Sequence, residues 1–274
     1  MEISYLKDPE RVCSDEVVAD ASLRAPRTKL VRDMRPNQDD FKLDIHGFQV
    51  LHLPYRERND KDGSEIQTKY YKEIEDLLKE KIGVKHAFCF APVLRPLDLS
   101  DKPIPNTQKT IPRPHLDFGP KSASEGWWTW FTDDNLRAAV PEWLESIGVD
   151  LSDAEKAPRF SILGLWRPLY KPVERDPLCV SDFRTVPEED YVILQPRKRK
   201  TYDGEWSVLK HGEPDVDHQW WYLSNHGLEE LLVFKHHDSR MDKAWRCGHG
   251  AFAIPGTEHL PDRESLEIRA FCVY

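Results

Sequence analysis

From residue 159 onward the 274-residue chain breaks into eight short apolar runs: RFSILGLW, PLCVSDF, YVILQP, WSVLKHG, HQWWYLS, EELLVFKHH, GAFAIP and SLEIRAFCVY. Turn-forming residues separate them, and runs of this length and spacing predict β-strands. A parallel sheet would need helical crossovers between successive strands, so the pattern predicts an antiparallel sandwich or barrel instead. The fold class is mainly β with flanking helices.

The flanking helices lie upstream. Ser64 and Gln67 form a capping box, Ile66, Tyr70, Ile74, Leu77 and Leu78 fall on one helical face, and Gly83 closes the helix. The strand VKHAFCFAPVL (84–94) follows. A second helix is predicted over 134–147, capped by Asp133, with Leu136, Val140, Trp143, Leu144 and Ile147 inward and Pro141 as a defect in its middle. Before these, FKLDIHGFQVLHL (41–53) reads as strand broken at Gly47, and residues 1–40, polar and without a sustained period, read as a surface arm. One domain results: the arm (1–40), N-terminal strands and helix (41–110), and a β core (111–274).

Composition excludes several classes of function. The formal charge of −9 argues against nucleic acid, and the one basic run, Arg197-Lys198-Arg199-Lys200, reads as a solvated hairpin end. No apolar stretch reaches the length of a membrane span, and the N-terminus MEISYLKDPERVCSDE lacks the apolar core of a secretory signal, so an intracellular, cytoplasmic protein is expected. Five scattered cysteines without a C-x-x-C pair suggest neither a disulfide framework nor a thiolate zinc site.

Chemistry enters at RPHLDF (113–118). Residues i and i+2 of a strand share a side, so His115 and Asp117 can face one point and offer a metal two ligands. The same tripeptide also fits two ordinary polar residues on a strand, and a third ligand decides the matter. Downstream candidates are His211, His218, His226, His236, His237, His249 and His259; His249 stands out between two glycines in RCGHGAF, where backbone can come close to an ion. Fourteen residues later Arg263 and Ser265 open the last run, a guanidinium fork and a hydroxyl suited to a dicarboxylate.

H-x-D, a distal histidine and R-x-S together resemble the Fe(II)/2-oxoglutarate-dependent oxygenases. Residues 159–186, 218–240 and 248–274 are similar to one fungal branch, the AsaB-like and gibberellin-desaturase-like hydroxylases. The resemblance implies a double-stranded β-helix, the cupin-like jelly roll. It implies His115, Asp117 and His249 as ligands of Fe(II), Arg263 and Ser265 as the grip on 2-oxoglutarate, and dioxygen at the remaining metal position. Arg269, on the same strand face as Arg263, is the alternative anchor. The implied substrate is a small apolar natural-product intermediate such as a meroterpenoid, and a homodimer is compatible with it.

Two departures stand out. The family's asparagine before Trp-Arg-Pro is Gly164 here, and His236 and His237 occupy variable positions, which sets them aside as ligands. The tryptophans Trp127, Trp128 and Trp130 read as core or as a pocket wall, with core preferred; Trp220 and Trp221 read as core or a co-substrate wall, and His218 as structural. Two other readings stay open: an iron oxidase that uses no 2-oxoglutarate, and a jelly-roll binding protein without catalysis.

Overall fold

The computed structural model describes residues 2–6, 24–54, 69–95, 113–124, 126–131, 133–194, 204–210 and 217–274. All eight predicted runs are strands: β7 (Phe160–Pro168), β8 (Leu178–Ser181), β9 (Tyr191–Leu194), β10 (Trp206–Leu209), β11 (Trp220–Tyr222), β12 (Glu230–Asp238), β13 (His249–Ala251) and β14 (Ser265–Val273). Before them come β1 (Glu2–Leu6), β2 (Arg24–Thr28), β3 (Val31–Asp33), β4 (Phe48–His52), β5 (His86–Arg95) and the two-residue β6 (His115–Leu116). Strands β4-β12-β7-β14-β5 form one sheet, β3-β11-β8-β13-β6-β10-β9 form the second, and β1-β2 are a separate pair. This is a jelly roll.

Alternation along the strands divides the core in two. Leu163 and Leu165 of β7, Leu231 and Val233 of β12, and Leu266, Ile268 and Ala270 of β14 face outward from the five-stranded sheet. The helix α2 (Tyr71–Ile82) covers them with Ile74, Leu77 and Leu78, each contributing about 1.5–3 kcal/mol by burial. Gly83 ends it at φ 78°, in the left-handed region. The opposite parity, Trp166, Leu232 and Phe234, packs between the sheets against Leu178 and Val180 of β8. The predicted second helix is α4 (Asp134–Ser146), whose cap Asp133 accepts hydrogen bonds from the Asn135 and Leu136 amides. The short α3 (Pro120–Ser124) precedes it.

Four expectations need correction or fall outside the described residues. The described residues of the N-terminal arm do more than lie on the surface: Ile3 and Tyr5 are buried, Trp220 donates its indole N–H to the Tyr5 hydroxyl at 2.7 Å, and β3 adds a parallel strand to β11. The polar composition of the arm conceals these few apolar anchors. Residues 43–46 are helical, not strand: α1 (Leu43–His46) ends at Gly47 (φ 88°), which turns the chain into β4. The capping box at Ser64 and Gln67, and the basic run, lie outside the described residues. Among the described residues, no helix is long and apolar enough to cross a membrane.

The α1 turn is held by charge. Asp44 receives Lys235 Nζ (2.9 Å), Lys243 Nζ (2.6 Å) and the Arg159 guanidinium (2.5 Å). Lys235, fully buried on β12, also donates to Asp238 Oδ2 and the Ala244 carbonyl, both at 2.7 Å. Burial alone would raise the Asp44 carboxyl, but these three cations hold it well below the usual range. Removing a member of a buried ion network strands the remaining charge. Lys235→Met should therefore cost roughly 3–5 kcal/mol in denaturant unfolding, while Lys243→Met, at a side chain 37% exposed, should cost about 1 kcal/mol or less; equal effects would show that the network carries no such weight.

Candidate active site

Strand pairing brings the two sequence-distant histidines together. His249 of β13 lies directly opposite His115 of β6, with ring centroids 4.5 Å apart. Gly250 permits this approach, since a Cβ there would meet the Arg113 carbonyl oxygen at 3.0 Å. Each ring is tied back through Nδ1, His115 to the Arg113 carbonyl at 2.7 Å and His249 to the Cys247 carbonyl at 3.3 Å. A carbonyl only accepts, so Nδ1 carries the proton and Nε2 presents its lone pair.

Asp117 completes the cluster from the turn just after β6. Its Oδ1 is 3.5 Å from His115 Nε2, and one ligand atom from each of His115, Asp117 and His249 lies within 4.8 Å of the others. Burial, with the neighbouring His249, pushes His115 down to about 3, so its imidazole is neutral at ordinary pH. Burial would raise the Asp117 carboxyl, but Arg269 and then the surrounding imidazoles hold it well below the usual carboxylate range. Two imidazole nitrogens and one carboxylate suit a divalent metal that keeps open positions. Holding each imidazole by its other nitrogen is how proteins orient metal ligands.

The last strand lines the same space. Ser265, Glu267 and Arg269 share the inward face of β14, opposite the apolar Leu266 and Ile268. Arg269 donates from Nε to Asp117 Oδ2 at 2.9 Å, again from its terminal nitrogen, and to the Ala91 carbonyl at 3.1 Å. The two Asp117 oxygens are thus divided, Oδ1 toward His115 and Oδ2 toward Arg269. Ala91 reaches this position through a bulge between β5 and β14, at φ 48°.

Arg263, just before β14, is 5% exposed and lies over the Trp166 ring at 5.0 Å. It donates to the Asp176 carbonyl, but its Nε and the Ser265 hydroxyl have no hydrogen-bond partner. Burial, then the neighbouring Arg95, pushes Arg263 down to about 9. A buried cation and an unpartnered hydroxyl two residues apart suit a carboxylate ligand. Arg269, the alternative anchor, is already engaged by Asp117.

The structure separates the adjacent histidines that sequence reasoning set aside together. His237 packs between Phe160 and Trp245, away from the cluster, whereas His236 enters it, with Nε2 3.9 Å from Asp117 Oδ2 and 4.0 Å from Glu267 Oε1. Asp117, His236 and Glu267 form a second close group. Glu267 was also missed, although the alternation of SLEIR places it beside Ser265 and Arg269. The remaining candidates are structural or distant: His218 bonds to Asp190 at 2.8 Å, His226 to the Glu230 carbonyl at 2.8 Å, His259 is exposed and His211 lies outside the described residues. Trp127 stacks on Phe90 at 4.2 Å in the core, with Trp128 packed against the same cluster.

A jelly roll with a His, Asp, His cluster between its sheets has the architecture of a non-haem metal oxygenase. The chain belongs to the family described as Oxidoreductase/YMDC permease-like domain, whose model matches residues 3–273. It is 30% identical over 255 residues to the alpha-ketoglutarate-dependent dioxygenase phiK of a fungal species, covering 89% of this chain and 83% of that protein. It is 28% identical over 257 residues to the Fe(II)/2-oxoglutarate-dependent dioxygenase nvfI of Aspergillus novofumigatus, covering 89% and 82%. The solved structure of the iron and alpha-ketoglutarate-dependent endoperoxidase NvfI superimposes with a TM-score of 0.74 at 24% identity, over 99% of this chain and 96% of the other. The protein is an Fe(II)/2-oxoglutarate-dependent oxygenase of the fungal secondary-metabolism type.

Proposed function

We propose that His115, Asp117 and His249 hold the iron, that Arg263 and Ser265 hold the far carboxylate of 2-oxoglutarate, and that the substrate is a small apolar natural-product intermediate. The observation that carries this reading is the pairing of a pre-oriented donor cluster with an orphaned Arg263–Ser265 pair on one lining strand. Bound together, iron and 2-oxoglutarate supply an oxidant from dioxygen, the co-substrate leaving as succinate and carbon dioxide while the substrate is oxidised.

The chain's own residues do the placing. The Arg113 and Cys247 carbonyls keep both imidazoles in the metal-binding tautomer, and Arg269 occupies Asp117 Oδ2, leaving Oδ1 for the metal. The Arg263 fork sets the direction in which the co-substrate lies, which lysine would not do. Phe234 lies 4.6 Å from the His249 ring and Phe118 5.5 Å from the His236 ring. These aromatic walls exclude water and favour an apolar substrate. Hydroxylation, desaturation and endoperoxide formation are the outcomes this class of site supports, each beginning at a substrate C–H bond held in that apolar space.

An oxidase without 2-oxoglutarate would have no use for Arg263 and Ser265 as they stand, and a mere binding protein none for the oriented donors. Anaerobic titration of the Fe(II)-loaded protein with 2-oxoglutarate should produce the weak visible charge-transfer band of a chelated 2-oxo acid. Iron binding without that band would shift the reading to the oxidase.

Two sets of variants test the assignments. His115→Ala, Asp117→Ala and His249→Ala should each weaken Fe(II) binding about 100-fold or more, since each removes a direct ligand beyond the 10–100-fold typical of supporting residues. Near-normal occupancy in any of them would discard that ligand. Arg263→Ala should retain iron and raise the 2-oxoglutarate dissociation constant on the order of 100-fold, as expected for losing one partner of a buried charge pair. Arg263→Lys should fall between. If Arg269→Ala has that effect and Arg263→Ala does not, the anchor is Arg269.

A further inference from the structure

His236 is the extra residue of a bulge in β12: Lys235 pairs with Leu163 and His237 with Ile162, leaving His236 unmatched. Bulges beside active sites re-aim side chains. This one aims the imidazole across β7 at Gly164, where a Cβ would meet His236 Nε2 at 2.8 Å and Phe234 Cζ at 2.4 Å. Only the missing side chain at Gly164 admits the two rings together.

The imidazole so admitted is incomplete. His236 is 1% exposed and neither ring nitrogen has a hydrogen-bond partner. The Asp117 and Glu267 carboxylate oxygens, 3.9 and 4.0 Å from its Nε2, are beyond hydrogen-bond range. Buried polar groups are nearly always hydrogen-bonded, so an imidazole held this way is placed to bond to a bound molecule. A second cation is a poor occupant, because Arg269 already sits on Asp117 Oδ2 and within 3.5 Å of Glu267. A ligand oxygen suits it better. A molecule gripped at Arg263 and Ser265 and reaching toward Asp117 passes along the inward face of β14, where Glu267 Oε1 stands 4.0 Å from His236.

Resting on the function proposed above, we infer that His236, admitted by Gly164, is a co-substrate-contacting residue that donates a hydrogen bond to an oxygen at the metal-binding end of the 2-oxo acid. The full-length Fe(II)-loaded protein, titrated anaerobically with 2-oxoglutarate, tests this without turnover. His236→Ala should weaken 2-oxoglutarate about 10-fold and shift the charge-transfer band, with Fe(II) affinity and melting temperature little changed. His236→Asn or His236→Gln should recover part of the affinity. Gly164→Ala, by displacing the imidazole, should reproduce the loss, and combining it with His236→Ala should add nothing further.

Unchanged 2-oxoglutarate affinity and band in His236→Ala would overturn the inference. So would a loss of Fe(II) affinity matching that of His115→Ala, which would make His236 a metal ligand. If the wild-type protein binds iron but no 2-oxoglutarate, the underlying reading fails instead, and that outcome is distinguished by the wild-type titration alone.

Discussion

The structure depends on one cross-strand contact, the pairing of His249 with His115. In the seven-stranded sheet, β3, β11, β8 and β13 lie on one side of it and β6, β10 and β9 on the other, and these two histidines are the paired residues at the join. The candidate metal donors are therefore also the seam of the sheet. A metal bound there would link the two halves, and a ligand that binds only the folded chain stabilises it in proportion to its occupancy. Fold and site are coupled at this point because β6 is only two residues long, so His115 is fixed by its pairing with Val208 of β10 on one side and with His249 on the other.

Much of the fold was legible because its signals are local. Strand runs, the Asp133 cap and the Gly83 stop each need only a few neighbouring residues to act, and each appears where its chemistry places it. What failed to show depends on partners far away in sequence. The α1 turn owes its shape to Asp44 meeting Lys235, Lys243 and Arg159, and β3 exists as a strand by pairing with β11. Neither leaves a periodic trace.

The site divides in the same way. His115, Asp117, His249, Arg263 and Ser265 could be singled out because H-x-D, the glycine-flanked histidine and R-x-S carry their spacing with them. Glu267 and His236 were passed over, for different physical reasons. In SLEIRAF the polar residues normally assigned to solvent face the interior, since α2 covers the other side of that sheet. His236 breaks the two-residue period altogether, and a bulge is invisible to any argument from alternation. Parity likewise put Arg263 and Arg269 on one face without separating their surroundings; only the folded chain shows that Arg269 is engaged by Asp117 while Arg263 donates to a backbone carbonyl.

The charge arrangement supports the proposed grip on a dicarboxylate. Arg269 lies between Asp117 and Glu267 and serves both. Arg263, buried nearby, has no carboxylate within ion-pair reach among the described residues and donates instead to a backbone carbonyl. A buried cation so placed is costly, as the pressure on its pKa indicates. A metal at the donor cluster adds a second excess positive charge at the other end. On the proposed assignment a monoanion would answer only one of these two charges, whereas a 2-oxo dicarboxylate would bring one negative end to each, so selectivity would follow from the separation of the two positive centres rather than from the shape of either site alone.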